Sequence, residues 1–330
     1  MSDTGLKLRR VVVLGANGYV GRQLMRGLAH NGKVTPVAVS RVNAQLDGCE
    51  LLQGNATDAD FLAQAIRDAD VLINLVSGHE DSISQSAEAI LSALNQQRQT
   101  GKPLLIHFSS MAVYGDTEGV ISETTPLAEG LDGYARGKVN AEKILSTWPR
   151  HVIFRPGCIV GPDSPQWSSR ILAFLKKRRI GDLGPDGDGW SNIIDVQDVV
   201  KVVEAVIDHS EAAESGVYNL AMPDAPTWND YFIGLGMAVD ATPVRRIRSG
   251  QLKLDALLLG IPLKIMEKIA PRVNASVLRS WPALTPSLLR LWRRRLKLDG
   301  TRLEASYPIA WTPLEEVLYR SAGVDAKKDA

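Results

Sequence analysis

Cysteine is scarce in this sequence, and so is any imbalance of charge. Its 330 residues include two cysteines, Cys49 and Cys158, and neither belongs to a Cys-x-x-Cys pair. That spacing gives neither a disulfide framework nor a thiolate zinc site, so both are expected to be reduced thiols. No His, Cys and Asp cluster has metal-ligand spacing, and no metal is expected. Lysine and arginine number 38 against 37 aspartates and glutamates, a balance that provides no global field for a nucleic-acid partner. The longest uncharged apolar run, Ala256–Leu263, falls far short of the roughly 20 residues that a membrane-spanning helix needs. Residues Met1–Arg10 are polar and basic, without the apolar core of a secretory signal. Together these absences lead to the expectation of a cytoplasmic protein with no transmembrane segment.

What is present is ordinary globular composition, 45% hydrophobic and 23% charged, in a chain long enough for one large domain or two modest ones. The N-terminal half alternates short apolar runs with helical patterns, the signature of a parallel sheet wound by crossover helices. Strands are expected at Val11–Leu14, Val34–Val39, Leu51–Leu52, Val71–Val76, Leu104–Phe108 and Val152–Phe154. Helices are expected over 18–30, over Thr57–Arg67 capped by Thr57 or Asp58, over Ser84–Gln97 and over Tyr134–Leu145. Past Arg155-Pro156-Gly157 the loops become rich in Gly, Pro and Asp. A strand-helix unit at Ile193–Ile207 and a strand at Val217–Leu220 follow, and from about Met222 the chain reads as helices joined by loops. The fold class expected is α/β, a doubly wound parallel sheet of Rossmann type with a smaller, mainly helical C-terminal domain. Residues 1–160, with 193–220 returning, would bind a dinucleotide; residues 161–192 and 221–330 would bind substrate.

Two motifs carry the chemistry. The first is Gly15-Ala16-Asn17-Gly18-Tyr19-Val20-Gly21, placed between a strand and a helix. Glycines at such a turn permit a tight bend, close approach of backbone to a pyrophosphate and close helix-strand packing, while the helix N-terminus supplies free amides and partial positive charge. At the end of the second strand stand Ser40 and Arg41. An acidic residue there would bind the ribose 2′-hydroxyl of NAD. A hydroxyl and a guanidinium suit a 2′-phosphate instead, so NADP is favoured over NAD. The second motif is Tyr134-Ala135-Arg136-Gly137-Lys138, preceded by Ser109-Ser110 at a strand end. Tyr134 and Lys138 share one helical face. An adjacent ammonium is expected to lower the tyrosine pKa toward working pH, as a general acid or base requires, and Ser110 would orient a substrate oxygen against Tyr134.

These motifs, in this order, resemble the extended short-chain dehydrogenase/reductases, the superfamily of NAD-dependent epimerases, dehydratases and 3β-hydroxysteroid-type dehydrogenases. The matching residues are Gly15–Gly21 (in the superfamily's GxxGxxG spacing), Ser109–Gly115, Tyr134 with Lys138, Arg155–Pro162, Gly187–Val199, Gly216–Leu220 and Trp311–Glu316. The resemblance covers most of residues 9–225. It implies that Ser110 and Tyr134 bind the reacting oxygen and that Lys138 also holds the nicotinamide ribose. By the same resemblance Asn55 and Ala56 line the adenine, Leu75, Val76 and Ser77 pass under the cofactor, and Pro156 joins its contacts. Two departures stand out: Asn55 occupies a place that often holds Asp, and Gln85 falls where many members carry Asn.

Substrate is less legible. Sugar-nucleotide members commonly present an arginine in the segment matching Gly189–Asn192, where this chain has Trp190 and Ser191 and no cation. Loss of charge-assisted bonds to a diphosphate argues against a nucleotide sugar, although Arg170, Lys176, Lys177, Arg178 or Arg179 would compensate if placed there. Trp167 and Trp190 flank the expected substrate mouth, as contacts or as packing, Ser191 is a candidate substrate contact, and His79 falls near the nicotinamide end. The Leu-, Ile- and Trp-rich stretches 256–263 and 281–298 would line an apolar pocket. Ser287–Leu296, with Arg290, Arg293, Arg294 and Arg295, is either a core helix with a solvated basic face or a surface for anionic lipid. A homodimer is compatible with the sequence. The reading favoured is an NADP-dependent oxidoreductase interconverting a secondary alcohol and a ketone. The alternatives are a nucleotide-sugar epimerase, dehydratase or reductase using bound NAD(P), and a non-catalytic NADP-sensing protein.

Overall fold

A computed structural model of the chain describes residues 8–97, 102–131, 133–260, 262–263 and 281–324. Residues 1–7 of the N-terminal segment, Ile261 of the apolar run and the start and end of the expected domains lie outside the described residues. The first half winds β1 (Arg9–Leu14), α1 (Tyr19–Asn31), β2 (Val34–Ser40), β3 (Glu50–Gln53), α2 (Ala59–Ala65), β4 (Val71–Asn74), α3 (Glu80–Asn95) and β5 (Leu104–Phe108). After them come β6 (Gly119–Ile121), α4 (Gly133–Leu145), β7 (His151–Pro156), β8 (Cys158–Val160) and α5 (Arg170–Lys176). Then follow β9 (Ile193–Asp195), α6 (Val196–Asp208), β10 (Gly216–Leu220), α7 (Trp228–Ala238) and α8 (Ser249–Leu258). The chain ends with α9 (Pro286–Arg293), β11 (Leu296–Leu298), α10 (Thr301–Ser306) and α11 (Leu314–Ala322).

Seven strands form one sheet in the order β10-β7-β5-β4-β1-β2-β3, every pair parallel. This is the Rossmann-type doubly wound sheet expected from the alternating pattern. Alternation along β1 explains its double burial: Val11 and Val13 enter the core on one face, with Leu24 and Leu28 of α1 and Val199 and Val203 of α6. Val12 and Leu14 enter the other, with Leu62, Ile83, Ile90 and Leu145. Burial of such side chains contributes about 1.5–3 kcal/mol each relative to exposure. Asp58, rather than Thr57, caps α2, its carboxylate accepting from the amides of Asp60 and Phe61. α3 begins at Glu80, four residues earlier than its periodicity indicates, with the acidic pair Glu80 and Asp81 in its first turn, where the helix dipole favours them.

The later residues build a third core around Phe174, Trp228, Tyr231, Phe232 and Trp292. Its helices are interrupted by two short parallel ladders, β6 with β11 and β8 with β9; of these four strands only β9, the start of the strand-helix unit at Ile193–Ile207, was expected. The chain then returns, since Leu303 and Tyr307 pack into the core of the α1 face of the sheet. The basic segment Ser287–Leu296 takes the first of its two expected forms, a core helix. Leu288, Leu289, Trp292 and Leu296 are buried, Arg293 pairs with Asp186 at 2.8 Å, and Arg294 pairs with Asp116. The apolar side of α9 is thus committed to the core. Among the described residues no helix is long and apolar enough to cross a membrane.

Candidate active site

The glycine turn joins β1 to α1. Gly15 adopts φ +78°, and a Cβ there would lie 3.2 Å from the Leu75 carbonyl group. A Cβ on Gly21 would fall 2.5 Å from the Gly15 oxygen, so the first turn of α1 sits directly on the loop. No side chain caps α1 and no acid occupies its first turn, which leaves the dipole's positive end open to an anion. Asn17 receives Arg22 at both its backbone and side-chain oxygens. The exposed Arg22 thereby brings a guanidinium beside the turn, a cation the motif reading overlooked although its place in the first helical turn could have flagged it. Tyr19 reaches away from the turn, its hydroxyl donating to the Val160 carbonyl at 3.4 Å. Val20 packs on the core of the α1 face.

Ser40 ends β2 nearly buried, its hydroxyl accepting from the Val42 amide at 3.3 Å. Arg41 is exposed. Asn55, also exposed, accepts from the Thr57 amide at 3.3 Å, next to the half-buried Ala56. Leu75 and Val76 are half-buried and Ser77 exposed after β4, while Pro156 is buried at the end of β7.

Ser110 follows β5 and caps a short 3-10 turn, accepting from the Ala112 amide at 3.1 Å. α4 brings Tyr134 and Lys138 to it. The Tyr134 ring is open to solvent on one side, 41% exposed, whereas its hydroxyl end is packed against the hydroxyls of Ser110 and Ser77. Burial raises the tyrosine above its ordinary pKa, and those two hydroxyls act in the opposite sense. This corrects the expected lowering by Lys138. That ammonium lies 5.8 Å from the Tyr134 ring centroid and donates instead to the carbonyls of Val76, at 3.0 Å, and Phe108, at 2.6 Å. Lys138 is itself only 2% exposed, and burial lowers its pKa to about 8, with Glu142 pulling upward.

A buried network fixes the other end of α4. Arg155 of β7 donates to both Glu142 carboxylate oxygens, at 3.1, 3.2 and 2.7 Å, and to the Tyr114 hydroxyl at 2.9 Å. Tyr114 donates in turn to Asn219 of β10 at 2.7 Å. Nothing in local periodicity marks these residues, because the contacts join distant parts of the chain.

The residues expected to meet substrate divide. Trp190 is half-buried with the Lys297 ammonium 4.8 Å from its ring centroid, so a cation does reach this loop, from β11. Ser191 is fully buried, its hydroxyl donating to the Pro226 carbonyl at 2.7 Å; it holds the loop together and does not face the mouth. Trp167 stacks obliquely 5.6 Å from Trp228 and borders a cavity of about 330 Å³ with Arg170, Leu288 and Leu291. His79 is exposed at the N-terminus of α3, and Gln85 is exposed on the same helix. Arg179 is engaged by Asp255 and the Pro282 carbonyl, so it does not serve the Trp190 loop.

Sheet order, glycine turn and helix-borne Tyr-Lys pair define a nucleotide-binding α/β protein. Residues 11–221 match the model of the NAD dependent epimerase/dehydratase family, and the chain belongs to that family, whose members are NAD(P)-dependent enzymes of oxidoreductase type. It is 25% identical over 297 residues to a 2-alkyl-3-oxoalkanoate reductase of Stenotrophomonas maltophilia, covering 83% of this chain and 84% of that one. It is 24% identical over 243 residues to a polyketide synthase-nonribosomal peptide synthetase of Aspergillus flavipes; that match covers 62% of this chain but only 6% of the much longer protein. A human epimerase family protein solved with NADPH shares the fold at a TM-score of 0.68 and 16% identity, covering 96% of this chain and 98% of that one.

Proposed function

We propose that the chain is an NADP-dependent oxidoreductase that interconverts a secondary alcohol and a ketone. The observation that carries this reading is the convergence of the Ser110 and Tyr134 hydroxyls beside the buried Lys138 at the carboxyl ends of β4 and β5, the edge where open α/β sheets bind their ligands. The residues present fit a nicotinamide dinucleotide. A Cβ on Gly15 or Gly21 would meet the backbone of Leu75 or of Gly15 and Ala16, so the glycines keep the turn tight, and the uncapped start of α1 suits the diphosphate. Among the described residues the exposed Arg41 makes no ion pair, which supports a 2′-phosphate and therefore NADP. Asn55, Ala56, Leu75, Val76, Ser77 and Pro156 would complete the cofactor's contacts, and Lys138 would hold the ribose with the ammonium proton left over from its two carbonyl bonds.

The cofactor, when bound, would supply the hydride chemistry. Ser110 holds the substrate oxygen by its hydroxyl proton, its lone pair being taken by the Ala112 amide. Tyr134 gives its proton to that oxygen during reduction and recovers it during oxidation. With the free phenol raised by burial, the protonated form prevails at neutral pH, which suits a proton donor to a ketone. The Ser77 hydroxyl, which acts against the rise caused by burial, stabilises the phenolate that the transfer leaves. Residues 1–160 with 193–220 form the dinucleotide-binding part of this reading, and 161–192 with 221–330 the substrate part.

One observation favours a second reading. The Lys297 ammonium over Trp190 restores a cation to the loop where sugar-nucleotide enzymes bind a diphosphate, as an epimerase or dehydratase would require. Net oxidation of NADPH with a panel of ketones, abolished in Tyr134→Phe, is the result expected. Turnover of a nucleoside diphosphate sugar without net cofactor change would replace the first reading with the second, and full activity in Tyr134→Phe would refute both.

A further inference from the structure

Inside the doubly buried sheet two polar side chains face each other one strand apart. Asn74, the last residue of β4, is the register partner of His107 in β5; they are 2% and 0% exposed. Polar groups so buried are costly unless hydrogen-bonded, and here the bonding fixes their chemistry. The Val76 amide donates to Asn74 Oδ1 at 3.0 Å, so the oxygen of that amide group faces Val76 and its nitrogen faces His107. Asn74 Nδ2 lies 3.1 Å from His107 Nδ1, which must therefore accept, leaving the imidazole proton on Nε2, a buried nitrogen with no hydrogen-bond partner among the described residues. Burial and the neighbouring Lys138 charge both disfavour an imidazolium, so the ring is neutral and able to accept.

Each partner is the neighbour of a backbone group that holds Lys138. Asn74 grips the Val76 amide, and the Val76 carbonyl accepts from the Lys138 ammonium at 3.0 Å. His107 precedes Phe108, whose carbonyl accepts from the same ammonium at 2.6 Å. We propose that Asn74 and His107 are a positioning pair: by locking the ends of β4 and β5 in register, they set the two carbonyls that aim Lys138 at the site. This rests on the reading of Lys138 as part of the working site, and it adds two residues that touch neither cofactor nor substrate.

The test follows Lys138 itself, without a substrate. Protein labelled with 13C at lysine Cε would be titrated by NMR, the Lys138 signal being assigned by its loss in Lys138→Gln. In His107→Leu the acceptor for Asn74 is gone, the Val76 carbonyl is released and the charged amine loses a partner. The Lys138 midpoint is expected to fall by about half a pH unit, and NADPH to bind about tenfold more weakly, the equivalent of one hydrogen bond. His107→Asn places an amide oxygen close to the position of Nδ1 and should restore both values, which a merely structural core residue would not do. A Lys138 midpoint unchanged in folded His107→Leu overturns the proposal, and so does failure of His107→Asn to restore it. Should His107→Leu not fold, Asn74→Ala breaks the same contact and is held to the same midpoint shift. A wild-type protein that ignores NADPH would count against the proposed function, while the Lys138 titration would still decide this inference.

Discussion

Removing the Glu142 carboxylate is the most informative single perturbation of the scaffold beneath the site. Glu142 and Arg155 have side chains 5% and 6% exposed, and the guanidinium gives the carboxylate its bonds at 3.1, 3.2 and 2.7 Å. In Glu142→Ala the cation remains buried and cannot shed its proton. Breaking one side of such a pair costs 3–5 kcal/mol. Arg155 keeps the Tyr114 hydroxyl at 2.9 Å and the Glu123 carbonyl at 3.2 Å, which places the loss near the lower end, about 3 kcal/mol. At roughly 2 °C per kcal/mol for a chain of this size, that is a drop of about 6 °C in Tm. Urea denaturation at pH 7 measures the loss directly. The double variant Glu142→Leu/Arg155→Met removes both charges and should recover most of it, since apolar replacements of a buried pair are often neutral or better. A single variant within about 1 kcal/mol of the wild type, or a double variant as unstable as the single, would refute the claim that this pair is desolvated and mutually dependent.

Other outcomes follow from the same structure. Arg41→Asp should weaken NADPH about 10–100-fold, the loss of one charge-assisted bond, and turn preference toward NADH; fluorescence titration with both cofactors checks this, and an unchanged preference refutes the assignment of Arg41. Lys138, held near pKa 8 when folded against its ordinary 10.5, penalises the native state fully below pH 8. The penalty fades as pH rises through 10.5, because the unfolded chain binds the extra proton in that window. The stability of Lys138→Met relative to wild type should therefore be greatest below pH 8 and decline toward pH 10 in urea melts, and the variant should be inactive. Gly21→Ala would set a Cβ 2.5 and 2.7 Å from the Gly15 and Ala16 oxygens, backbone atoms with little freedom to yield. Its NADPH affinity should fall at least tenfold, about 1.4 kcal/mol, and an ordinary affinity would show that the turn tolerates a shift.

Much of the sheet could be read from the chain because its signals are local. Val11–Leu14 and Val71–Ile73 are continuous apolar runs suited to double burial, and glycines at 15, 18 and 21 mark a turn between strand and helix. What escaped reading depends on partners distant in sequence. Gly119–Ile121 becomes a strand only because Leu296–Leu298 lies beside it, and three residues are too few for periodicity to register. Asn74 and His107 lie inside stretches expected only as strands, and it is the register of β4 against β5 that makes partners of them. The pKa of Tyr134 was misjudged for a related reason: spacing on a helix places Lys138 on the same face as the phenol, but not the Val76 and Phe108 carbonyls that claim its protons. Ser191 looked like a substrate contact until the Pro226 carbonyl took its hydroxyl.

The return of the chain to its first sheet has a consequence for synthesis on the ribosome. The edge strand holding Tyr218 and Leu220 emerges only after two-thirds of the sequence, and Leu303 and Tyr307 enter the same core later still. Until those residues leave the exit tunnel, one face of the nucleotide-binding sheet carries unfilled apolar surface. The glycine turn and the Tyr-Lys helix are thus translated early but completed late. A fragment released at residue 160 would expose the α1 face of the sheet along with its seventh-strand edge, and such edges template aggregation. For this protein the last fifth of the chain helps to complete the fold that its first fifth begins.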